Sequence, residues 1–177
     1  GAEIPLTTIG ITMKVNQVVS AVLLGLATGA QPIFGYNYGS GQKDRVKQAY
    51  RIILTASTIM LVLAFFVFQF APMSIVRLFG SESELYNEFA VKCFRIFLLA
   101  CPINGLQMAT GVFFQSIGRP TQATILSLSR QVVYLLPATI LLPMALGVEG
   151  ALWAGPLADV LAFITTLVML KLYWKKI

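Results

Sequence analysis

From Val15 to Gln42 the sequence carries no charged residue, and the positions that follow bring Lys43, Asp44, Arg45, Lys47 and Arg51. A helix rises about 1.5 Å per residue, so an uncharged run of this length can cross a hydrocarbon layer of about 30 Å. The basic run behind it belongs in water. The same pattern recurs along the chain and predicts five spans, over residues 4–34, 46–70, 89–114, 123–143 and 150–172. Lys14 alone interrupts the first. The apolar runs lack a period of two and exceed a barrel strand in length, so helices are expected.

Composition agrees. Charged residues are 11% of the chain and hydrophobic ones 57%, with a mean hydropathy of +0.79. An ordinary soluble domain is about 25% charged, enough to give each helix a polar outer face. The fold class expected is all-α, a polytopic membrane bundle of five helices. Histidine is absent, which removes imidazole metal sites, histidine triads and histidine proton relays. Cys93 and Cys101 fall in one apolar segment, two turns or roughly 12 Å of helix apart, too far for a disulfide within one helix. They read as packing residues.

The net charge of +6 does not point to nucleic acid. Its basic residues cluster at the ends of apolar segments instead of forming one polar face. Lys43, Arg45, Lys47 and Arg51 follow the first span, Arg119 the third, and Lys171, Lys175 and Lys176 close the fifth. Glu3, then Glu82, Glu84 and Glu88, then Glu149 occupy the alternate connections. The positive-inside rule makes the basic set cytoplasmic, with the carboxy terminus inside. A chain beginning at Gly1 and not Met is expected to be part of something longer.

Three prolines, Pro102, Pro137 and Pro156, fall inside spans and should kink them. Small residues recur every four positions at Ala21, Gly25 and Gly29, and at Gly147, Ala151 and Gly155. Such faces permit close helix approach, though small residues are also common in membranes.

Four stretches carry a family resemblance: Gln31-Pro32 with Tyr36-Asn37-Tyr38-Gly39 ahead of the basic run; Phe113 to Pro120, FFQSIGRP; Ser129-Arg130-Gln131; and Pro156-Leu157-Ala158-Asp159. In this order and spacing they resemble the multidrug and toxic compound extrusion (MATE) transporters, of the MepA-like branch. The resemblance covers the whole chain but under half of a full transporter. It implies helices eight to twelve, part of the six-helix carboxy-terminal lobe, in a bacterial cytoplasmic membrane. It further implies a secondary antiporter that exports organic, often cationic, compounds in exchange for Na⁺ or H⁺ by alternating access, without a cofactor. The partners implied are the bilayer, an amino-terminal lobe, small organic substrates and the coupling ion.

Several residues can carry chemistry. Asp159 is the one acid deep within a span, where an ionised carboxylate costs about 2.5–3.5 kcal/mol, so it should meet a partner or water. It reads either as an ion or substrate site or as a structural pair, with Arg130 or a kinked backbone. Family carboxylates known for ion binding lie on helices outside this chain or at third-span positions that are uncharged here. Asn104, Gln107, Gly111 and Gln115 share one stripe of the third span, facing either a cavity or another helix. In the first span Lys14 and Gln17 share a face, as do Asn16 and Ser20. Lys14 at that depth needs a partner or an aqueous cavity. Tyr36, Asn37, Tyr38 and Gly39 suit an interfacial anchor and chain reversal, and the resemblance adds a gating role.

Two other readings stay open. A lipid-linked saccharide flippase of the same superfamily would favour an arginine-lined cavity, whereas intramembrane arginine here is limited to Arg130 and Arg95. A non-transporting accessory membrane protein is compatible with the odd number of spans. A membrane enzyme would need paired acids, a metal cluster or an activated nucleophile, and none is visible.

Overall fold

Hydrocarbon offers backbone groups no water to bond with, so a spanning chain must satisfy them internally. The computed structural model, which describes residues 3–177, does so with helices throughout. Helices α1 (Glu3–Gly29) and α2 (Gln31–Gly39) run on as one span past a proline break at Pro32. Helix α3 (Lys43–Phe70) returns. A short helix, α4 (Pro72–Phe79), fills what reads in the sequence as connection. The third span is a bent pair, α5 (Glu84–Phe97) and α6 (Cys101–Ser116), at 49°. The fourth comprises α7 (Pro120–Leu128), a π-helical turn (Ser129–Leu135) and α8 (Leu136–Leu146). The fifth is α9 (Val148–Tyr173), followed by a 3₁₀ turn at Trp174–Lys176. Four of these units are each long and apolar enough to cross a membrane, and the bent pair makes a fifth.

Proline accounts for two further breaks. Pro102 cannot donate to the Leu98 carbonyl, and the chain tightens there instead: Cys101 N donates to Leu98 O at 3.2 Å and Ile103 N to Ala100 O at 3.1 Å. The two cysteines therefore lie on either side of a bend, not on one straight helix, and both are buried free thiols. Ahead of Pro137 the hydrogen bonding slips by one residue, so that Leu136 N–H reaches the Gln131 carbonyl. That slip is the π-helical turn. Pro156, by contrast, sits inside an unbroken α9.

The reversal after the first span lies further along than its composition suggests. Tyr36 to Gly39 are helical, and the turn falls at Ser40–Gln42, where Gly41 takes φ +75°. The Asn37 side chain donates back to Ile33 O at 2.8 Å, while the Asn37 backbone carbonyl accepts from Gln42 N at 2.9 Å. After α6, Gly118 takes φ +75° and Arg119 N donates to Phe114 O at 2.8 Å. This left-handed position closes the helix, and Pro120 opens the next.

Two packed clusters hold the bundle. One, around Leu23, Leu61, Phe68, Val76, Tyr86 and Phe94, lies toward the end that carries the glutamates. There Lys92 pairs with Glu149. The other, around Phe34, Tyr50, Phe113, Phe114, Leu126 and Ile177, lies toward the basic end. Lys47 stands 5.5 Å from the Trp174 ring, and Arg119 and Lys176 stand 5.4 and 5.5 Å from Tyr173. Cation–π contact thus ties three basic segments to one aromatic floor. Buried Thr8, Thr12 and Thr166 return their hydroxyls to carbonyls one turn back, at 2.7–2.9 Å. The exterior is apolar, with Leu6, Ile52, Leu63, Leu141 and Met144 all more than half exposed, as lipid contact requires.

The two small-residue faces behave differently. A methyl added at Gly25 or Gly29 would meet nothing within 4 Å. At Gly155 it would touch Phe97 at 3.1 Å, and at neighbouring Gly150 it would collide with the Leu142 carbonyl. Close approach is therefore a property of α9, to α5 at Gly155 and to α8 at Gly150.

Candidate functional site

The bend at Leu98–Ala100 frees α6 to lean away from the axis of α5, and its polar stripe opens onto a hollow between α1, α6 and α7. The hollow measures about 640 Å³. Helix α6 supplies Asn104, Gln107, Gly111 and Gln115; α1 supplies Asn16 and Ser20. The fourth span adds Thr124, Ser127, Arg130 and Gln131. Because α6 and α7 both run to the basic end, the hollow occupies that half of the bundle.

Its walls are fixed by side-chain contacts. Gln107 Nε2 donates to Leu126 O at 3.2 Å, which ties α6 to α7. On the far side of α6, Tyr50 and Thr110 share a buried 2.7 Å hydroxyl contact with α3. The π-helical turn is anchored on α9 twice. Tyr134 and Thr165 share a 2.5 Å hydroxyl contact, and Arg130 meets Asp159. Its Nε donates to Oδ1 at 2.9 Å and Nη2 lies 2.6 Å from the same oxygen. Asp159 is 8% exposed and Arg130 17%. Only Arg130 reaches the hollow's surface. An intramembrane ion pair in this setting lowers the cost of both charges and sets the azimuth of the helices carrying them.

The polar candidates separate into groups. Asn16, Asn104, Gln107, Gln115 and Arg130 come together at the hollow. Asp159 stands behind Arg130 and does not line it. Lys14 and Gln17 are exposed on another face of α1, and among the described residues Lys14 has no carboxylate within ion-pair distance. Gln31, Pro32 and the segment Tyr36-Asn37-Tyr38-Gly39 form α2 at the basic end, away from the lining. Tyr36 points out, 76% exposed. Thr124, Ser127 and Gln131 complete the wall; at first reading Gln131 figures only in the stretch Ser129-Arg130-Gln131, and Thr124 and Ser127 not at all. Their spacing at i, i+3 and i+7 along an otherwise apolar span is the signal that would have found them.

A second hollow of about 640 Å³ lies toward the acidic end, bounded by Phe65, Leu99, Pro102, Leu142, Trp153 and Leu157 among others. It is lined by apolar side chains. Among the described residues no group of three histidine, cysteine or acidic side chains is placed to hold a metal ion.

A family model described as MatE matches residues 2–140. Multidrug export protein MepA of Staphylococcus haemolyticus is 24% identical over 164 residues, which is 92% of this chain and 36% of the relative. A FAD transporter of Shewanella oneidensis is 25% identical over 154 residues, 86% of this chain and 33% of its own. Among solved structures, a ligand complex of the MATE multidrug transporter DinF-BH aligns with a TM-score of 0.83 at 34% identity, covering 92% of this chain and 36% of that one. An outward-facing MATE transporter of the MOP superfamily aligns with a TM-score of 0.86 at 20% identity, over 97% and 39% of the two chains. This chain therefore spans about a third of the length of these relatives. With its five-span bundle, it belongs to the MATE family and makes up about one lobe of such a transporter.

Proposed function

We propose that this chain forms most of the carboxy-terminal lobe of a secondary active exporter of organic compounds, with helices eight to twelve of the family's twelve. It supplies one wall of a substrate cavity between two lobes, and rocking of the lobes gives alternating access driven by inward Na⁺ or H⁺ flow. The observation that carries this reading is the α6 stripe. Asn104, Gln107 and Gln115 line one open hollow together with Asn16 of α1. Holding that many amide groups in a membrane is costly unless water or a solute meets them. Names such as multidrug export protein and FAD transporter among the relatives fit an organic cargo.

By the positive-inside rule the basic end is cytoplasmic, so this hollow lies in the cytoplasmic half of the inner membrane. Asp159 is assigned a structural role, since its carboxylate is engaged by Arg130. A flippase reading is less well supported, because the lining holds one arginine and not several.

The test is efflux from cells lacking other exporters, using the two-lobe protein that contains this chain. Asn104→Leu combined with Gln115→Leu should abolish efflux while membrane insertion stays intact. The five-helix chain alone should not transport. Unchanged efflux by the double variant, or efflux by the isolated lobe, would sink the proposal.

A further inference from the structure

The lining of the polar hollow is unusual in its charge. Among the described residues Arg130 is its one ionised side chain, and no carboxylate reaches its surface. Asp159 offsets the charge of Arg130 but engages only one edge of its guanidinium. Both guanidinium contacts converge on a single oxygen, Asp159 Oδ1, from the α9 side. Nη1 makes no hydrogen bond to a protein group among the described residues. The pair is thus a dipole with its negative end packed inside the bundle and its positive end toward the hollow. The same hollow is lined by amides without side-chain partners among the described residues, Asn16, Asn104, Gln115 and Gln131. Each offers N–H donors to a solute. The π-helical turn sets Arg130 in this position, and Tyr134 locks the turn to Thr165.

We infer that this lobe selects a substrate with an anionic, oxygen-bearing group, a carboxylate or phosphate, seated on Arg130 Nη1, with the amides of the same hollow left to meet the rest of the molecule. The inference rests on the transport reading above and specifies its cargo. A planar guanidinium with a free N–H edge matches two oxygens of such a group, and the contact is strong where water is scarce. A permanent cation at the same place would face Arg130 with no carboxylate within reach in this wall. The lobe therefore disfavours the organic cations that family resemblance alone would suggest.

The experiment measures binding of two dyes to the purified two-lobe protein in detergent, by fluorescence anisotropy. Fluorescein carries the carboxylate, and ethidium is a permanent cation of similar ring size. Fluorescein should bind at least about tenfold more tightly than ethidium, the scale of one charge-assisted contact. Arg130→Gln should remove that preference. Because this variant leaves Asp159 without its partner, Arg130→Gln with Asp159→Asn is measured beside it as a neutral hydrogen-bonded pair. The double variant should fold, lose fluorescein affinity by about tenfold, and keep or improve ethidium binding. Tighter binding of ethidium, weakened by cavity substitutions such as Asn104→Leu, would overturn the anionic assignment and leave the transport reading standing. Fluorescein affinity unchanged in the double variant would also overturn it. If cavity substitutions alter binding of neither dye, both readings fall.

Discussion

Two hollows of about the same volume lie at the two ends of this bundle, and they differ in nearly everything else. The one toward the basic end sets amides, hydroxyls and a guanidinium among apolar neighbours such as Leu24, Met108 and Val112. The one toward the acidic end is lined by Phe65, Leu99, Pro102, Trp153 and their apolar neighbours. Volume is common to both, so volume does not mark the site. Polar groups at membrane depth are costly, and they persist where something meets them. The apolar hollow costs nothing in lipid and offers no group that would orient a solute.

The sharpest way to break this comparison is at the ion pair behind the polar hollow. Asp159→Leu leaves Arg130 without its counter-ion and should cost about 3–5 kcal/mol, the scale of a broken buried pair. Thermal unfolding in detergent reads the effect. Arg130→Met with Asp159→Leu should recover most of it, since an apolar pair removes both charges.

Next in size is Gly150, in the hairpin whose helices wall the apolar hollow. A methyl there would overlap the Leu142 carbonyl, so α8 and α9 must part. Gly150→Ala should destabilise by about 1–3 kcal/mol. Tyr50→Phe removes the hydroxyl that meets Thr110 at 2.7 Å between α3 and α6. Thr110 keeps its bond to Leu106 O, so the loss should be only about 1 kcal/mol in the same unfolding measurement.

Gly111→Ala, in the polar hollow, should have the smallest effect and the opposite sign. Nothing lies within 4 Å of the added carbon. Replacing a mid-helix glycine should stabilise by about 0.5–1 kcal/mol. The same substitution thus has opposite outcomes at Gly150 and Gly111.

Much of this molecule was legible in the sequence. Uncharged runs between charged connections place the spans, because a bilayer leaves no other arrangement for them. The α6 stripe is visible from the spacing of Asn104, Gln107, Gly111 and Gln115, while the scarcity of intramembrane charge singles out Asp159 but leaves it open between an ion site and a pair with Arg130. Other features depend on tertiary packing. The direction in which the stripe faces follows from the bend at Leu98–Ala100, whose angle no local rule supplies. The π-helical turn needs both Pro137 and the anchors on α9. Asn and Gly in Tyr36–Gly39 suggest a reversal, yet the helix continues to Gly39 because Asn37 bonds back to Ile33. Lys14 is exposed on α1, with no carboxylate within ion-pair distance among the described residues.

The most direct test fills each hollow in turn and measures efflux by the two-lobe protein in proteoliposomes. Gly111→Trp places an indole in the polar hollow, and Val160→Trp places one in the apolar hollow. Efflux should be abolished by the first and remain within about twofold of the parent for the second, a change of under about 0.5 kcal/mol in barrier. Loss of efflux in Val160→Trp with Gly111→Trp unaffected would assign the substrate to the other hollow and contradict this account.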